Sequence, residues 1–281
     1  MKITHLNQLV SDYDAYIVDL WGVLHNGREA FPEAILALAE LKLLKKKIIL
    51  LSNSPRRVES SVLRLTELGI LPEFYDLLYT SGEDCFQALE MPTNEWYRQL
   101  GTKYFLLGPN KDKSMAQELS RTNVDSLDDA DFVLVTGTNG WETDLNAYIP
   151  LLEKARKKNL PMVCANPDLT VFFESELVLC AGAIAQAYEE MGGDVRYHGK
   201  PYSDIYTAIL KKINIPQARI LAIGDSLRTD IKGAVQMKID TLLVLSGIHS
   251  EFQNESYEAI RDCGLEYFQV EPKYIATKLV F

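Results

Sequence analysis

Short apolar runs alternate with segments of helical periodicity along most of the 281-residue chain. Near-continuous apolarity over a few residues is typical of strands that are buried on both faces, as in a parallel sheet covered by helices. The alternation therefore predicts an α/β protein. The runs that we assign to strands are residues 16–18, 48–51, 77–79, 104–107, 132–135, 162–164, 220–223 and 242–245.

Helix start signals stand between these runs. Pro32 opens one amphipathic segment, and Ser54 precedes Pro55, an order of cap residue and proline that predicts the start of a second helix. Thr229 is the predicted cap of a later helix. Because the sequence has no glycine- or serine-rich linker, any second domain must be inserted through short connections.

Charge and hydropathy exclude several classes of protein. The chain carries 39 acidic and 29 Lys and Arg side chains, a net charge of −10, which repels nucleic acid and anionic lipid. No stretch approaches the roughly 18 apolar residues of a membrane span, and no signal-peptide core is present, so we expect a cytoplasmic protein.

The four cysteines lack the paired spacing of zinc or redox sites, so we expect buried thiols. They are Cys85, Cys164, Cys180 and Cys263.

Polar residues follow several of the predicted strands. Asp19 follows the first run, Ser52 and Asn53 follow the second, and Asp225 follows the run at 220–223. In open α/β sheets, ligands bind beyond the carboxyl ends of the strands. Carboxylates suit a hard cation such as Mg²⁺, and hydroxyl, amide and ammonium groups such as that of Lys200 neutralise phosphoryl oxygens. The pattern therefore predicts a site for a metal and a phosphate.

In order and spacing, these motifs resemble those of the haloacid dehalogenase superfamily. The first motif corresponds to residues 18–24, the second to Ser52 and Asn53, the third to Lys200 and the fourth to residues 224–230. The long stretch between the second and third motifs resembles the cap insertion of class IIA members. The resemblance implies a doubly wound parallel sheet formed by residues 1–81 and 182–281, with an inserted α/β cap of residues 82–181.

The resemblance also implies roles for single residues. Asp19 would be the nucleophile that forms an aspartyl-phosphate. Two substrate contacts, Asn166 and Asp168, would come from the cap, where Trp141 is expected to pack. Mg²⁺ would be held by Asp19, the backbone carbonyl of Trp21, Asp225 and Asp230, and the phosphoryl oxygens by Ser52, Asn53 and Lys200.

Trp21 departs from the family's pattern. Phosphatases of the family have a second aspartate at this position, which acts as general acid and base, and an indole N–H cannot do so near pH 7. Three hypotheses follow: His25 replaces the acid, the reaction does not need one, or the protein binds a phosphorylated ligand with little turnover. The retained Asp225 and Asp230 indicate a metal and so disfavour the metal-free dehalogenase reaction.

The sequence thus predicts a magnesium-dependent hydrolase of small phosphate esters, similar to the class IIA sugar phosphate and nitrophenyl phosphate phosphatases. The alternative is a phospho-ligand-binding or regulatory protein with weak or lost activity. The expected partner is a small phosphorylated metabolite rather than nucleic acid or membrane. The resemblance further implies a homodimer formed through the cap.

Overall fold

The computed structural model describes residues 5–109, 114–140, 142–173 and 176–281, so Trp141 lies outside the described residues. The chain forms two compact units, one of residues 1–52, 62–79 and 200–281 and one of residues 53–61 and 80–199. No described helix has the length and apolarity needed to cross a membrane.

Strands and helices alternate along the chain. The strands are β1 (Ala15–Val18), β2 (Lys47–Ser52), β3 (Leu77–Thr80), β4 (Lys103–Leu107), β5 (Thr122–Val124), β6 (Phe132–Val135), β7 (Met162–Cys164), β8 (Thr170–Phe173), β9 (Glu176–Leu179), β10 (Val195–Tyr197), β11 (Ile220–Gly224), β12 (Asp240–Val244) and β13 (Tyr274–Ala276). The helices are α1 (Pro32–Leu43), α2 (Val58–Glu67), α3 (Ser81–Glu90), α4 (Glu95–Gln99), α5 (Ser114–Glu118), α6 (Ile149–Lys157), α7 (Ala181–Glu190), α8 (Ser203–Ile213), α9 (Lys232–Gln236) and α10 (Tyr257–Cys263).

A six-stranded sheet in the order β13-β12-β11-β1-β2-β3 forms the centre of the first unit. β1 pairs in parallel with both β2 and β11. All of its residues are buried, as the continuous apolar run predicts. The chain leaves β1 towards β2 and returns on the other side at β11, so the strand order reverses between β1 and β11. That reversal is where open α/β sheets bind ligands.

The second unit contains a parallel sheet in the order β10-β7-β6-β4-β5 and the antiparallel hairpin β8/β9. α7 belongs to this unit because Ile184 and Tyr188 share a core cluster with Val133 and Met162. β10 extends the same sheet beside β7. Residues 182–199, which the sequence analysis assigns to the catalytic core, therefore fall within the second unit.

Two predicted helix starts are wrong. α2 begins at Val58 rather than at Ser54, and the residue that caps the turn Leu227–Ile231 is Ser226. The Ser226 hydroxyl accepts a hydrogen bond from the backbone N–H of Thr229 at 3.3 Å. Cap preference alone cannot distinguish two hydroxyl residues three positions apart. By contrast, α1 begins at Pro32 as predicted.

We expect Ile49→Ala to destabilise the first unit by about 2–5 kcal/mol, because Ile49 is fully buried in the centre of the sheet. Leu43→Ala is the control, since Leu43 is 75% exposed, and we expect it to change stability by less than about 0.5 kcal/mol. Urea unfolding measures both. Equal effects of the two substitutions would contradict the assigned core.

Candidate active site

Three carboxylates meet in the first unit at the point where the strand order reverses. Asp19 directly follows β1, Asp225 directly follows β11, and Asp230 lies in the helical turn after β11. All three are buried, and one ligand atom from each lies within 4.8 Å of the others. The sequence predicts that Asp19 and Asp225 meet. They do so because β1 and β11 are neighbouring parallel strands.

Lys200 lies within the same cluster. Its ammonium group donates to Asp19 Oδ1, to Asp230 Oδ1 at 2.7 Å and to the backbone carbonyl of Leu51 at 3.0 Å. Burial alone would lower the pKa of Lys200, but the two carboxylates outweigh it and raise that pKa above its usual value. Lys200 therefore stays protonated at neutral pH and holds two of the three carboxylates in place.

The loops around Asp225 leave no room for larger residues. Asp225 Oδ2 accepts a hydrogen bond from the backbone N–H of Ile248 at 2.7 Å. A Cβ at Gly247 or at Gly22 would overlap that same carboxylate oxygen, and Gly22 has a φ of +85°. Ser246 donates to the carbonyl of Gly22 at 2.6 Å and so joins the two loops.

Ser246 and Gly247 were missed in the sequence analysis, although the signal was present. They directly follow the apolar run at residues 242–245, in the same way that Asp19 and Asp225 follow their strands. The rule that ligands bind beyond the carboxyl ends of strands applies to β12 as well.

The cluster has an excess of negatively ionisable groups. Three buried carboxylates surround a single ammonium group. Burial, together with the negative charges of Asp19 and Asp230, raises the pKa of Asp225 well above its usual value. A further cation at the cluster would stabilise the ionised form of all three carboxylates.

In the loop after β1, the side chain of Trp21 packs against the backbone of the same loop. The half-buried indole ring lies over Gly27, where a Cβ would overlap the ring, and Gly27 has a φ of +87°. His25 meets the ring edge-on at a centroid distance of 5.6 Å. Arg64 donates to the carbonyl of Gly27 at 2.9 Å and fixes the far end of the loop.

His25 is a buried member of this loop. Its Nδ1 accepts a hydrogen bond from the backbone N–H of Gly27 at 3.0 Å. Burial, and to a lesser degree the charge of Arg64, lower the pKa of His25 to about 4. At pH 7 only about one His25 ring in 10³ is protonated. The ring therefore helps to fold the loop and is poorly suited to serve as the replacement acid.

The other predicted site residues lie in two groups. Ser52 is buried at the end of β2 in the first unit. In the second unit, the Asn53 amide donates to Asp168 Oδ1 at 2.8 Å, and the Asp168 backbone N–H donates to Asn166 Oδ1 at 2.9 Å. The structure thus brings Asn53, Asn166 and Asp168 together, and their roles in binding stay predictions.

Comparisons with known proteins agree with this geometry. Residues 16–148 match the model of a haloacid dehalogenase-like hydrolase family, and residues 197–279 match a second HAD hydrolase-like model. A haloacid dehalogenase-like hydrolase of Brucella suis 1330 is 31% identical, with a TM-score of 0.84 over 99% of this chain and 100% of its own. The chain belongs to the haloacid dehalogenase-like hydrolase family.

Two other relatives refine the comparison. The 4-nitrophenylphosphatase of Schizosaccharomyces pombe is 25% identical over 87% of both chains. The glycerol phosphate phosphatase of Mycobacterium tuberculosis, solved with magnesium, has a TM-score of 0.69 and 22% identity over 95% of this chain and 76% of its own. The predictions of an α/β fold and of a class IIA phosphatase-type enzyme are confirmed.

The lowered pKa of His25 predicts a stability that falls in mild acid. The unfolded state takes up a proton near pH 6.5 and the folded state only near pH 4, so stability is lost as the pH falls through this interval. Between pH 7 and pH 5 we expect His25 to account for a loss of about 2 kcal/mol.

Urea unfolding of the wild type and of His25→Asn at both pH values tests this prediction. The Asn amide oxygen replaces the Nδ1 acceptor but does not titrate, so the variant should lose about 2 kcal/mol less than the wild type on acidification. His5→Asn is the control, since His5 is exposed. An identical pH dependence in wild type and His25→Asn would contradict the assignment.

Proposed function

We propose that the chain is a magnesium-dependent hydrolase of small phosphate monoesters that uses Asp19 as its nucleophile. The observation that carries this proposal is the buried cluster of Asp19, Asp225, Asp230 and Lys200 at the strand-order reversal of the first unit. Membership in the haloacid dehalogenase-like family and the phosphatase relatives support it.

The residues present fit a hard divalent cation. Their donor set consists of carboxylate oxygens, as Mg²⁺ prefers, and the cluster has an excess of negative charge. Asp19, Asp225 and Asp230 would hold the ion, together with the backbone carbonyl of Trp21. When bound, it would offset the repulsion between the nucleophile and the phosphate dianion.

The chain's own residues account for the remaining steps. Lys200 orients the Asp19 carboxylate and offers positive charge to the phosphoryl oxygens, with Ser52 and Asn53 as further donors. Asp19 attacks phosphorus, and the bond from phosphorus to the ester oxygen breaks as the aspartyl-phosphate forms. Water then attacks that phosphorus, which releases phosphate and restores the carboxylate.

Asp19→Asn should reduce metal-dependent hydrolysis of 4-nitrophenyl phosphate by at least about 10³-fold, because an amide is a far weaker nucleophile than a carboxylate. Steady-state kinetics with added Mg²⁺ and with a chelator measure this loss. Asp14→Asn is the matched control, since Asp14 is an exposed carboxylate paired with Arg219. Retained activity in Asp19→Asn would overturn the assigned nucleophile.

The loop around Trp21 supports a narrower substrate class. Trp21 lies two residues after Asp19, within about 7 Å along the backbone, and an indole cannot protonate a departing oxygen. His25 offers no replacement, because it is buried and hydrogen-bonded to Gly27. General acid catalysis is worth about 10²–10⁴-fold. We therefore propose that the enzyme acts on esters whose leaving group departs without protonation, such as aryl phosphates.

A series of phosphate monoesters with leaving groups of rising pKa tests this class. We expect kcat/KM to fall steeply along the series, with alkyl esters at least about 10²-fold below 4-nitrophenyl phosphate. Trp21→Asp should flatten this dependence by restoring a titratable group, whereas Trp21→Phe should leave it steep.

Two results would contradict the proposed substrate class. One is a wild-type rate that is independent of the leaving group's pKa. The other is an equally steep dependence in Trp21→Asp when circular dichroism shows that variant to be folded. Tight binding of esters without turnover of any would instead support the second candidate, a phospho-ligand-binding protein, which the absence of an acid at Trp21 favours.

A further inference from the structure

A half-open surface cavity in the first unit is lined by residues that do not belong to the carboxylate cluster. Its volume is about 380 Å³, within the range of small-molecule sites. The first wall is formed by the start of α8 and the residues before it. The second wall is formed by the helical stretch after β11. The lining residues are Pro201, Tyr202, Ser203, Arg228, Lys232 and Gln236.

The second wall concentrates positive charge. Arg228, Lys232 and Gln236 are four residues apart along one helical stretch, so they lie on the same face. Arg228 and Lys232 are both half-buried. No acidic residue lines the cavity in the described part of the chain. The pair thus places two positive charges in one cavity of a protein whose net charge is −10.

The first wall adds a hydroxyl group and an apolar surface. Ser203 is exposed at the first position of α8, and Tyr202 before it is 38% exposed. Pro201 continues this surface. The cavity therefore offers cationic and hydroxyl donors to an anion, and a proline and an aromatic ring to the organic part of the same molecule.

The geometry points to a binding site for a small organic phosphate in this cavity, whose lining includes none of the four residues Asp19, Lys200, Asp225 and Asp230. A guanidinium group binds a phosphate group through two parallel N–H donors, and Lys232 adds a second positive charge. The volume exceeds what a bare phosphate ion needs, so the organic part of the ligand occupies the space beside Tyr202. This proposal does not depend on the reaction at Asp19.

Phenylphosphonate is a suitable probe, because its carbon–phosphorus bond is not that of a phosphate ester. Calorimetric titration of the wild type and of Arg228→Gln/Lys232→Gln gives the number of binding sites in each. We expect the double variant to have one site fewer, or at least tenfold weaker binding at that site. Asp19→Asn should keep the site, and added salt should weaken it.

Lys154→Gln/Lys158→Gln is the matched control, since it also removes two positive charges four residues apart, both of which contact Asp128. We expect it to bind phenylphosphonate as the wild type does. Gln236→Glu provides a second test at an exposed position, where it places a negative charge in the cavity and should weaken binding at least tenfold.

Three results would overturn the proposal. The first is equal stoichiometry and affinity in the wild type and the double variant. The second is unchanged binding in Gln236→Glu. The third is inorganic phosphate that binds this site as tightly as phenylphosphonate, which would show that the wall at Tyr202 contributes nothing. Loss of turnover in Asp19→Asn is a separate measurement, so the two proposals fail independently.

Discussion

The burial of three carboxylates around one ammonium group is the constraint on which the rest of the first unit depends. An isolated charge at this depth would be strongly destabilising, so Asp19, Asp230 and Lys200 must keep their mutual contacts. Those contacts join β1 to the turn after β11. The third carboxylate, Asp225, is fixed by a backbone N–H and by glycines without which it would have no room.

Sequence reasoning predicted that Asp19 and Asp225 meet because both obey a rule of topology. Asp19 and Asp225 end neighbouring parallel strands, and the carboxyl ends of such strands lie at one edge of the sheet. The contacts of Lys200 with two of the carboxylates could not be derived this way, since Lys200 follows a loop rather than a strand of that sheet. Lys200 was predicted from its chemistry as a phosphate-binding group, whereas its position in the site, like that of Asp230, was implied by the family resemblance.

Local signals failed where several residues offered the same chemistry. Ser226 and Thr229 both carry a hydroxyl group suited to capping, and only the backbone path after β11 makes Ser226 the cap. The assignment of residues 182–199 to the core likewise depended on motif positions. In the structure, the apolar face of α7 packs on β6 and β7, and this contact decides to which unit the segment belongs.

The loop after β1 is packed around the indole ring of Trp21. A ring that lies over Gly27 and meets His25 edge-on fills space that an aspartate could not. His25 is buried in the same loop, and burial lowers its pKa to about 4, so the ring is almost entirely neutral at pH 7. Trp21 and His25 therefore pack as one structural unit, so a substitution at either position changes the surroundings of the other.

Asn53 is under a different constraint from the cluster. Its amide already donates to the Asp168 carboxylate within the second unit, and a hydrogen bond to a charged group is worth about 1.5–3 kcal/mol. An Asn amide has two N–H groups, so a hydrogen bond to Asp168 does not by itself prevent Asn53 from donating to a second acceptor. The bond to Asp168 instead fixes the orientation of the Asn53 side chain within the second unit, and a side chain that is already ordered loses less entropy when it binds a ligand.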